Sequence, residues 1–374
     1  MWLSVRLGLT AFGGPAAHIA MLRSEVVDRR RWVGDDHFLD LLSVTNLIPG
    51  PNSTEMVIHV GYERAGWRGL VAGGVGFILP AATMTLGFAW LYVAYGTTPA
   101  GDQILYGIKP VVIAIVVQAL WSLARTALRG IPAAVGCGLV AALYVAGVHE
   151  IALLFGGGLV GLAARARQLG IGQPRAMSFT ALPFAGWPAW ADTVTGPLVD
   201  YGHIRIFLTF LKIGSVLYGS GYVLLAFLRN DIVDRYGWLT EQQLVDAVAV
   251  GQFTPGPVFT TATFVGYLAG GVPGAVLATI GIFLPAFVAV AVAVRLLPRL
   301  RRMAWVRAAL DGLNVAALGL MAAVAWTLVR AALVDWFTLL VAAAALVVLL
   351  RYRVNSAWLV LGGALLGLGT SLFS

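Results

Sequence analysis

Two short motifs combine helix-breaking residues with groups that can bind an anion. Pro49-Gly50-Pro51 is followed by Asn52-Ser53-Thr54, and Pro255-Gly256-Pro257 lies between Thr254 and Thr260. Proline has no backbone N–H and breaks a helix interior, so each motif predicts a break followed by a new helix. A helix N-terminus presents unpaired N–H groups and positive partial charge. With the nearby hydroxyl and amide groups, the two motifs predict a binding site for a tetrahedral oxyanion.

A second kind of break lies near the start of the chain and recurs in its second half. Gly13-Gly14-Pro15 precedes His18, and the later segment "LYGSGYVLL" contains Gly219 and Ser220. Lys212 precedes that second break, and a lysine at membrane depth is costly and usually functional. We therefore assign these residues to the predicted substrate site. For Lys212 the alternative is snorkelling to the inner surface, and for His18 a hydrogen bond between helices.

Two acidic residues in apolar surroundings, Glu55 and Asp311, are candidates for proton coupling. Each has a structural alternative. Asn52 and Glu55 have the spacing of a capping box, in which Glu55 only stabilises the start of a helix. Asp311, with Asn314, could instead hold helices together by hydrogen bonds.

Composition restricts the class of protein. The chain is 59% hydrophobic and 11% charged, whereas a soluble domain has about 25% charged residues. We therefore expect an all-α polytopic membrane protein and no binding of nucleic acid. The single cysteine, Cys137, excludes an internal disulfide. The sequence has no metal-binding cluster, nucleotide-binding loop or nucleophile–base pair, so we predict no cofactor and no enzymatic activity.

The chain is predicted to be a duplication. The Pro-Gly-Pro motif recurs after 206 positions, and Asp28-Arg29 matches Asp234-Arg235 at the same offset. After the loss of one residue, Gly61-Tyr62 matches Gly266-Tyr267. We divide the chain into a first repeat (1–165), a linker (166–203) and a second repeat (204–374).

The arginines predict how the repeats cross the membrane. Apolar segments 2–22, 66–95, 103–124, 131–148 and 150–165 are candidate crossings of the first half. The basic loops before and after segment 38–60 both belong on the cytoplasmic side, so this segment is predicted to be a re-entrant hairpin with Pro-Gly-Pro at its tip. Five crossings per half place the N-terminus outside and the second half upside down, as in many secondary transporters. The alternative is twelve full crossings and parallel repeats.

Several segments together resemble the chromate ion transporter family in its long, fused two-domain form. They are "FGGPAAHIAMLRSEVVDRRRWV", "LIPGPNSTEM", "GYERAGWRGLVAGGVGFILPA" and "GQFTPGPVFTTATFVGYLAGGVPGAVLATIGIFLPA". The resemblance covers both halves in order. It implies a multi-pass protein of the bacterial cytoplasmic membrane that exports chromate, driven by the proton-motive force.

The resemblance leaves alternative substrates and mechanisms open. Sulfate is a tetrahedral dianion of similar size, so uptake or exchange of sulfate or another oxyanion is the second hypothesis, and a passive anion channel is the third. The expected partners are chromate or sulfate and the lipid bilayer, with a homodimer as a further candidate assembly.

Overall fold

A computed structural model of the chain describes residues 1–12, 14–46, 48–96, 98–128, 130–168, 202–217, 224–300, 304–352 and 354–370. The described residues are helical almost throughout, and no strand occurs among them. The first half contains α1 (Trp2–Thr10), α2 (Gly14–Arg23), a π-helix (Ser24–Arg29), α3 (Asp35–Thr45), α4 (Asn52–Tyr95), α5 (Pro99–Ala127), α6 (Ile131–Val145) and α7 (Glu150–Gln168). Most of the predicted linker, 169–201, lies outside the described residues.

The second half repeats this order of elements. It contains α8 (Gly202–Val216), α9 (Leu224–Leu228), a π-helix (Arg229–Arg235), α10 (Glu241–Phe253), a 3-10 turn (Val258–Thr260), α11 (Thr261–Leu300), α12 (Ala304–Ala332), α13 (Trp336–Tyr352) and α14 (Ser356–Thr370). Each half thus has a short broken opening segment, a π-helix, a helix leading to Pro-Gly-Pro, one very long helix and three further helices.

Four helices are long and apolar enough to cross a membrane, at 52–95, 99–125, 258–295 and 308–332. Four shorter apolar helices, at 131–145, 150–164, 336–352 and 356–370, accompany them. With the hydrophobic composition, these helices make the chain a multi-pass helical membrane protein, as the sequence predicts.

The long helix α4 is folded into two antiparallel arms. Gly66 has φ of 57° and lies at a sharp turn. A side chain on Gly69 would collide with the carbonyl oxygen of Gly61, and a Cβ on Gly73 would lie 3.0 Å from the carbonyl oxygen of Val57. In a straight helix residues 57 and 73 would be about 24 Å apart. The arms 52–64 and 67–95 therefore lie against each other, and glycine permits their close approach.

Helix α11 has the same construction. Gly271 has φ of 63° at the turn, Gly266 faces Gly274 without room for a side chain, and the hydroxyl oxygens of Thr263 and Thr279 are 2.8 Å apart. These glycines occupy the positions that the sequence repeat matches with Gly61, Gly66 and Gly69. The repeated glycines thus mark a repeated helical hairpin.

The opening segment of each half also folds back on itself. Arg6 Nη1 lies 3.2 Å from Glu25 Oε1, although 19 residues of continuous helix would separate them by about 28 Å. Lys212 Nζ lies 2.6 Å from Asp231 Oδ2 in the same arrangement. The prediction that segment 2–22 crosses the membrane once is therefore wrong, because the chain reverses its direction within the segment, and the opening segment of the second half reverses in the same way.

This reversal also corrects the position of the N-terminus. Met1 lines one small cavity together with Trp32 and Arg64. Trp32 and Arg64 belong to the basic loops before and after segment 38–60, and both loops were predicted to lie on the side of the membrane opposite the N-terminus. The structure instead brings the start of the chain and these two basic loops to one end of the molecule.

The two halves are interlocked. Helix α5 of the first half packs against α13 and α14 of the second, while α12 of the second half packs against α6 and α7 of the first. Gly107 lies against Gly363 and Gly312 against Gly157, with no space for a Cβ at either contact. Small residues at such crossings let helices approach closely in lipid. The halves therefore pack as one unit around shared interfaces.

The long arms of α4 and α11 run antiparallel to each other. The Arg295 guanidinium near the end of α11 lies 5.3 Å from the ring centroid of Trp67 at the start of the α4 arm. Further along, the Phe287 ring occupies the space beside Gly74. These two equivalent arms thus point in opposite directions.

Candidate functional site

Each Pro-Gly-Pro break docks onto the broken opening segment of the other half. The N–H of Gly50 donates to the carbonyl of Leu217 at 2.8 Å, and the N–H of Gly256 donates to the carbonyl of Ala11 at 2.8 Å. The two bonds join equivalent positions in exchanged halves. Non-helical backbone from both halves is therefore brought together in pairs.

Steric contacts explain why glycine stands at the centre of each motif. Gly50 has φ of 137° and Gly256 has φ of 95°, values that side-chain-bearing residues rarely adopt. A Cβ on Gly256 would lie 2.7 Å from the Ala81 side chain, and a Cβ on Gly50 would collide with the Glu55 carboxyl group. Each central glycine therefore packs so closely against neighbouring side chains that no space remains for a Cβ atom.

The predicted donors of the second half are largely engaged by the backbone. The hydroxyl groups of Thr254, Thr260 and Thr261 donate to the carbonyls of residues 250, 257 and 258 at 2.7, 2.9 and 2.8 Å. Gly50 and Gly256 have also used their N–H groups, as described above. The proposed site consequently has fewer free donors in this conformation than the sequence indicates.

The start of α4 retains unpaired polar groups. Thr54 is fully buried and its Oγ1 has no hydrogen-bond partner. Ser53 Oγ lies 3.3 Å from His18 Nδ1, while His18 Nε2 has no partner. This contact places the first opening segment beside the helix that starts after the first Pro-Gly-Pro motif.

The capping box suggested for Asn52 and Glu55 does not form. Helix α4 has Pro51 as its N-cap without a side-chain hydrogen bond, and Asn52 Nδ2 donates to Asn46 Oδ1 at 2.7 Å. Glu55 is fully buried, and neither carboxyl oxygen has a hydrogen-bond partner. Glu55 is therefore available for a role other than capping.

Sequence reasoning missed His59, which lies one helical turn beyond Glu55. It is 1% exposed, and neither ring nitrogen has a hydrogen-bond partner. Side chains four apart share one helix face, so this spacing in an apolar helix was the available signal. The second half has no Asp, Glu, His, Lys or Arg from 258 to 294, so these titratable groups belong to the first half alone.

Lys212 does not face the Pro-Gly-Pro motifs with a free ammonium group. Its Nζ donates to Asp231 Oδ1 at 2.7 Å, and both residues are buried. Arg6 and Glu25 form the equivalent pair in the first half. Lys212 thus belongs to a duplicated ion pair that ties each opening segment to its π-helix, and its assignment to the substrate site stays a prediction.

The arginines that follow the opening segments are held by acidic residues. Arg23 Nη2 lies 2.6 Å from Asp35 Oδ1, and Arg229 Nη2 lies 2.7 Å from Glu241 Oε1. In the first half, burial alone would raise the pKa of Glu25, but hydrogen bonds from neighbouring arginines more than offset it, so the pKa lies below its ordinary value.

The remaining predicted residues are distributed as follows. Gly14 and Pro15 begin α2 next to the first break, whereas Gly13, Gly219 and Ser220 lie outside the described residues. Asp311 is exposed on α12, and none of its described contacts joins it to the breaks.

A second buried ion pair was also missed. Lys109 Nζ lies 3.1 Å from Asp246 Oδ1, and the Tyr92 hydroxyl donates to Asp246 Oδ2 at 2.9 Å. These contacts tie α10, the helix that leads into the second Pro-Gly-Pro motif, to α4 and α5 of the first half. The signal was the presence of only two lysines in the chain, both in apolar helices.

Comparison with known proteins identifies the family. The family model described as Chromate transporter matches residues 1–162 and 204–368. The Chromate transport protein of Cupriavidus metallidurans is 31% identical over 97% of this chain and 90% of its own length. The Chromate transport protein of Pseudomonas aeruginosa is 36% identical over 76% of this chain and 69% of its own. The Probable chromate transport protein of Synechococcus elongatus is 31% identical over 92% and 87%. No solved structure matches the chain. The chain belongs to the chromate transporter family.

Proposed function

We propose that the protein is a secondary active transporter that exports chromate from the bacterial cytoplasm, using the proton-motive force. Family membership and the names of the relatives support chromate as the substrate. The observation that carries the mechanism is the exchange of hydrogen bonds between Gly50 and Leu217 and between Gly256 and Ala11. Broken helices that meet between two halves are typical of the substrate sites of secondary transporters.

We infer that the two halves are inverted in the bilayer. The antiparallel course of the α4 and α11 long arms supports this relation. The end that holds Trp67 and Arg295 also holds Arg64, Arg68 and the run 29–31, and such an excess of arginine favours the cytoplasmic side. Each half then has two re-entrant hairpins, 2–23 and 35–64 in the first half, followed by four crossings. Gln168 and Gly202, the described residues on either side of segment 169–201, lie on opposite sides in this arrangement.

Chromate would bind at the start of α4, between the two kinds of break. The helix N-terminus favours an anion, and Ser53, Thr54 and His18 supply polar groups that lack strong partners. Thr260 and its neighbours can join when their hydroxyl groups rotate. The inside-negative membrane potential expels a dianion with about 4.6 kcal/mol per 100 mV, at about 2.3 kcal/mol per charge.

Glu55 is the proton-coupling candidate that the geometry favours. Its carboxyl group is buried at the first break and touches the position where a Gly50 side chain would lie. A dianion bound at the start of α4 and an ionised Glu55 carboxylate repel each other. Binding of chromate therefore favours the protonated form of Glu55, which makes binding depend on pH, and the membrane potential still expels the remaining net negative charge.

Flux measurements in inverted membrane vesicles test this function. Labelled chromate should accumulate when a pH gradient or a potential is imposed, and sulfate should compete if the site reads only shape and charge. Pro51→Ala and Pro257→Ala should lower the flux because they restore an N–H and remove the break. Pro132→Ala, at the exposed start of α6, is the matched control and should leave the flux unchanged.

Three outcomes would count against the proposal. Absence of chromate movement in the intact protein refutes the function. Gradient-independent flux supports a passive anion channel instead of a coupled transporter. Undiminished flux in both proline variants refutes the site. Competition by sulfate and assembly into a homodimer stay predictions.

A further inference from the structure

A buried group of charged residues lies away from the proposed chromate site. Glu150, the first residue of α7, is fully buried, and neither carboxyl oxygen has a hydrogen-bond partner. It interacts electrostatically with the buried pair formed by Lys212 and Asp231. We call these three residues the Glu150 cluster. His149 Nδ1 lies 3.4 Å from Glu150 Oε2, and the His149 side chain is 53% exposed.

The Glu150 cluster has one carboxylate more than its ammonium group can neutralise. Lys212 is already within 2.6 Å of Asp231 Oδ2. Tyr144, which also interacts with Glu150, carries no positive charge, and Arg229 beside Tyr144 is bound to Glu241 and Asp234. A buried charge without a partner is strongly unfavourable. The Glu150 cluster is thus electrically neutral when it binds one proton, and the exposed His149 side chain connects it to solvent.

The equivalent position of the other half has no third charged residue. Gly157 and Gly363 occupy equivalent positions 206 residues apart, so the equivalent of Glu150 is Ser356, the first residue of α14. The equivalent ion pair, Arg6 with Glu25, is joined by two further arginines, and the Arg6 side chain is 51% exposed. Of these two equivalent ion pairs, only Lys212 with Asp231 is buried and has an extra carboxyl group beside it.

The Glu150 cluster is also connected to the first Pro-Gly-Pro motif. Lys212 lies five residues before Leu217, whose carbonyl accepts the N–H of Gly50. A change in the charge facing Lys212 therefore acts on α8, and residue 217 at the end of α8 is hydrogen-bonded to Gly50 of the first Pro-Gly-Pro motif.

We propose that Glu150 binds and releases a proton during the transport cycle, from the side of the membrane opposite Arg64 and Trp67. The proposal rests on the proposed coupling to the proton-motive force. Protonated Glu150 leaves Lys212 paired with Asp231 alone, whereas ionised Glu150 draws the ammonium group between two carboxylates. The resulting shift of α8 reaches Gly50 through Leu217.

Glu150→Gln tests the proposal because glutamine keeps the shape of a permanently protonated carboxyl group. The purified protein is placed in inverted vesicles with labelled chromate. Two quantities are measured: net uptake with an acid interior, and chromate–chromate exchange without a gradient. We expect Glu150→Gln to lose the stimulation by the pH gradient and to keep exchange. Glu150→Asp should restore the stimulation. Asp335→Asn, which removes an exposed charge at the same end, should behave as the intact protein.

The outcomes separate this proposal from the proposed function. If the intact protein is stimulated by the gradient and Glu150→Gln is equally stimulated, only the role of Glu150 is refuted. Loss of exchange together with stimulation also refutes it, since Glu150 would then be needed for chromate movement itself. If the intact protein moves chromate without any response to the pH gradient, both proton coupling and the role of Glu150 are refuted. Protonation of chromate is the same for all variants and cancels in these comparisons.

Discussion

The duplicated ion pair allows one substitution to be compared in two environments of the same fold. Lys212 and Asp231 have side chains that are 8% and 0% exposed, whereas Arg6 is 51% exposed and Glu25 has two other arginine partners. Lys212→Met leaves a buried carboxylate without its cation, which costs about 3–5 kcal/mol. Arg6→Met removes one exposed partner, and such pairs contribute about 0.2–1 kcal/mol.

These free energies convert into different melting temperatures. Unfolding entropy is about 2.1 cal/mol/K per residue, so 374 residues give about 0.8 kcal/mol/K. Lys212→Met should therefore lower Tm by about 4–6 °C, and Arg6→Met by about 1 °C or less. Thermal unfolding in detergent, followed through the fluorescence of the 12 tryptophans, measures both values without chromate.

A double substitution distinguishes loss of the ion pair from loss of packing. Lys212→Met with Asp231→Leu replaces both charges by apolar groups, a change that is often neutral for buried pairs. We expect the double variant to recover most of the lost stability. Equal effects of Lys212→Met and Arg6→Met, or a double variant as unstable as Lys212→Met, would refute the assignment of Lys212 to a buried structural pair. A stable Lys212→Met protein that no longer binds chromate would favour the substrate role instead.

Three further predictions concern the first break, the helical hairpin and a helix cap. The affinity of Glu55→Gln for chromate should depend less on pH than that of the intact protein, which should bind chromate more tightly relative to the variant as pH falls; parallel titrations of binding would argue against Glu55. Gly69→Leu should prevent folding or lower Tm sharply because the opposite arm leaves no space, while Gly87→Leu, which meets open space, should have little effect on Tm. Asp335→Ala should cost about 1 kcal/mol at pH 7 as a lost helix cap. The N–H of Thr338, followed by other hydrogen bonds, holds the pKa of Asp335 below its ordinary 3.8. Its contribution is therefore present above that value and lost as pH falls through the lower folded pKa, so melting curves of the two proteins should converge in acid; a constant difference would contradict this.

The sequence predicted the helical membrane class from composition and the family from its motifs. It also matched the glycines of the two halves, which the structure explains by the helical hairpins at Gly66 and Gly271. The direction of the opening segments was not predictable from apolar length, because a hairpin of two short helices is as apolar as one crossing. The Gly-Gly-Pro break was recognised, but only contacts such as Arg6 with Glu25 reveal that the chain turns back there.

The ion pair of Lys212 was within reach of sequence reasoning. Arg6 and Lys212 are equivalent basic positions, and Glu25 and Asp231 are equivalent acidic positions. Each half thus has one basic and one acidic residue at matching places, so the repeat itself indicated paired residues. The unpaired state of the Glu55 carboxyl group was not within reach, because Asn52 and Glu55 have the capping spacing in sequence. In the fold Pro51 takes the N-cap position, and the Asn52 side chain turns to Asn46.

The symmetry of the backbone and the asymmetry of the charges lead to one physical conclusion. Proline breaks, glycine hairpins and opening-segment ion pairs occur in both halves, so they belong to the scaffold on which the two halves exchange hydrogen bonds. Glu55, His59 and Glu150 have no titratable equivalent: residues 258–294 contain no such charge, and Ser356 replaces Glu150. A symmetric scaffold by itself would treat both sides of the membrane alike. Residues that make transport respond to a gradient must therefore be sought among the unpaired groups that only one half possesses.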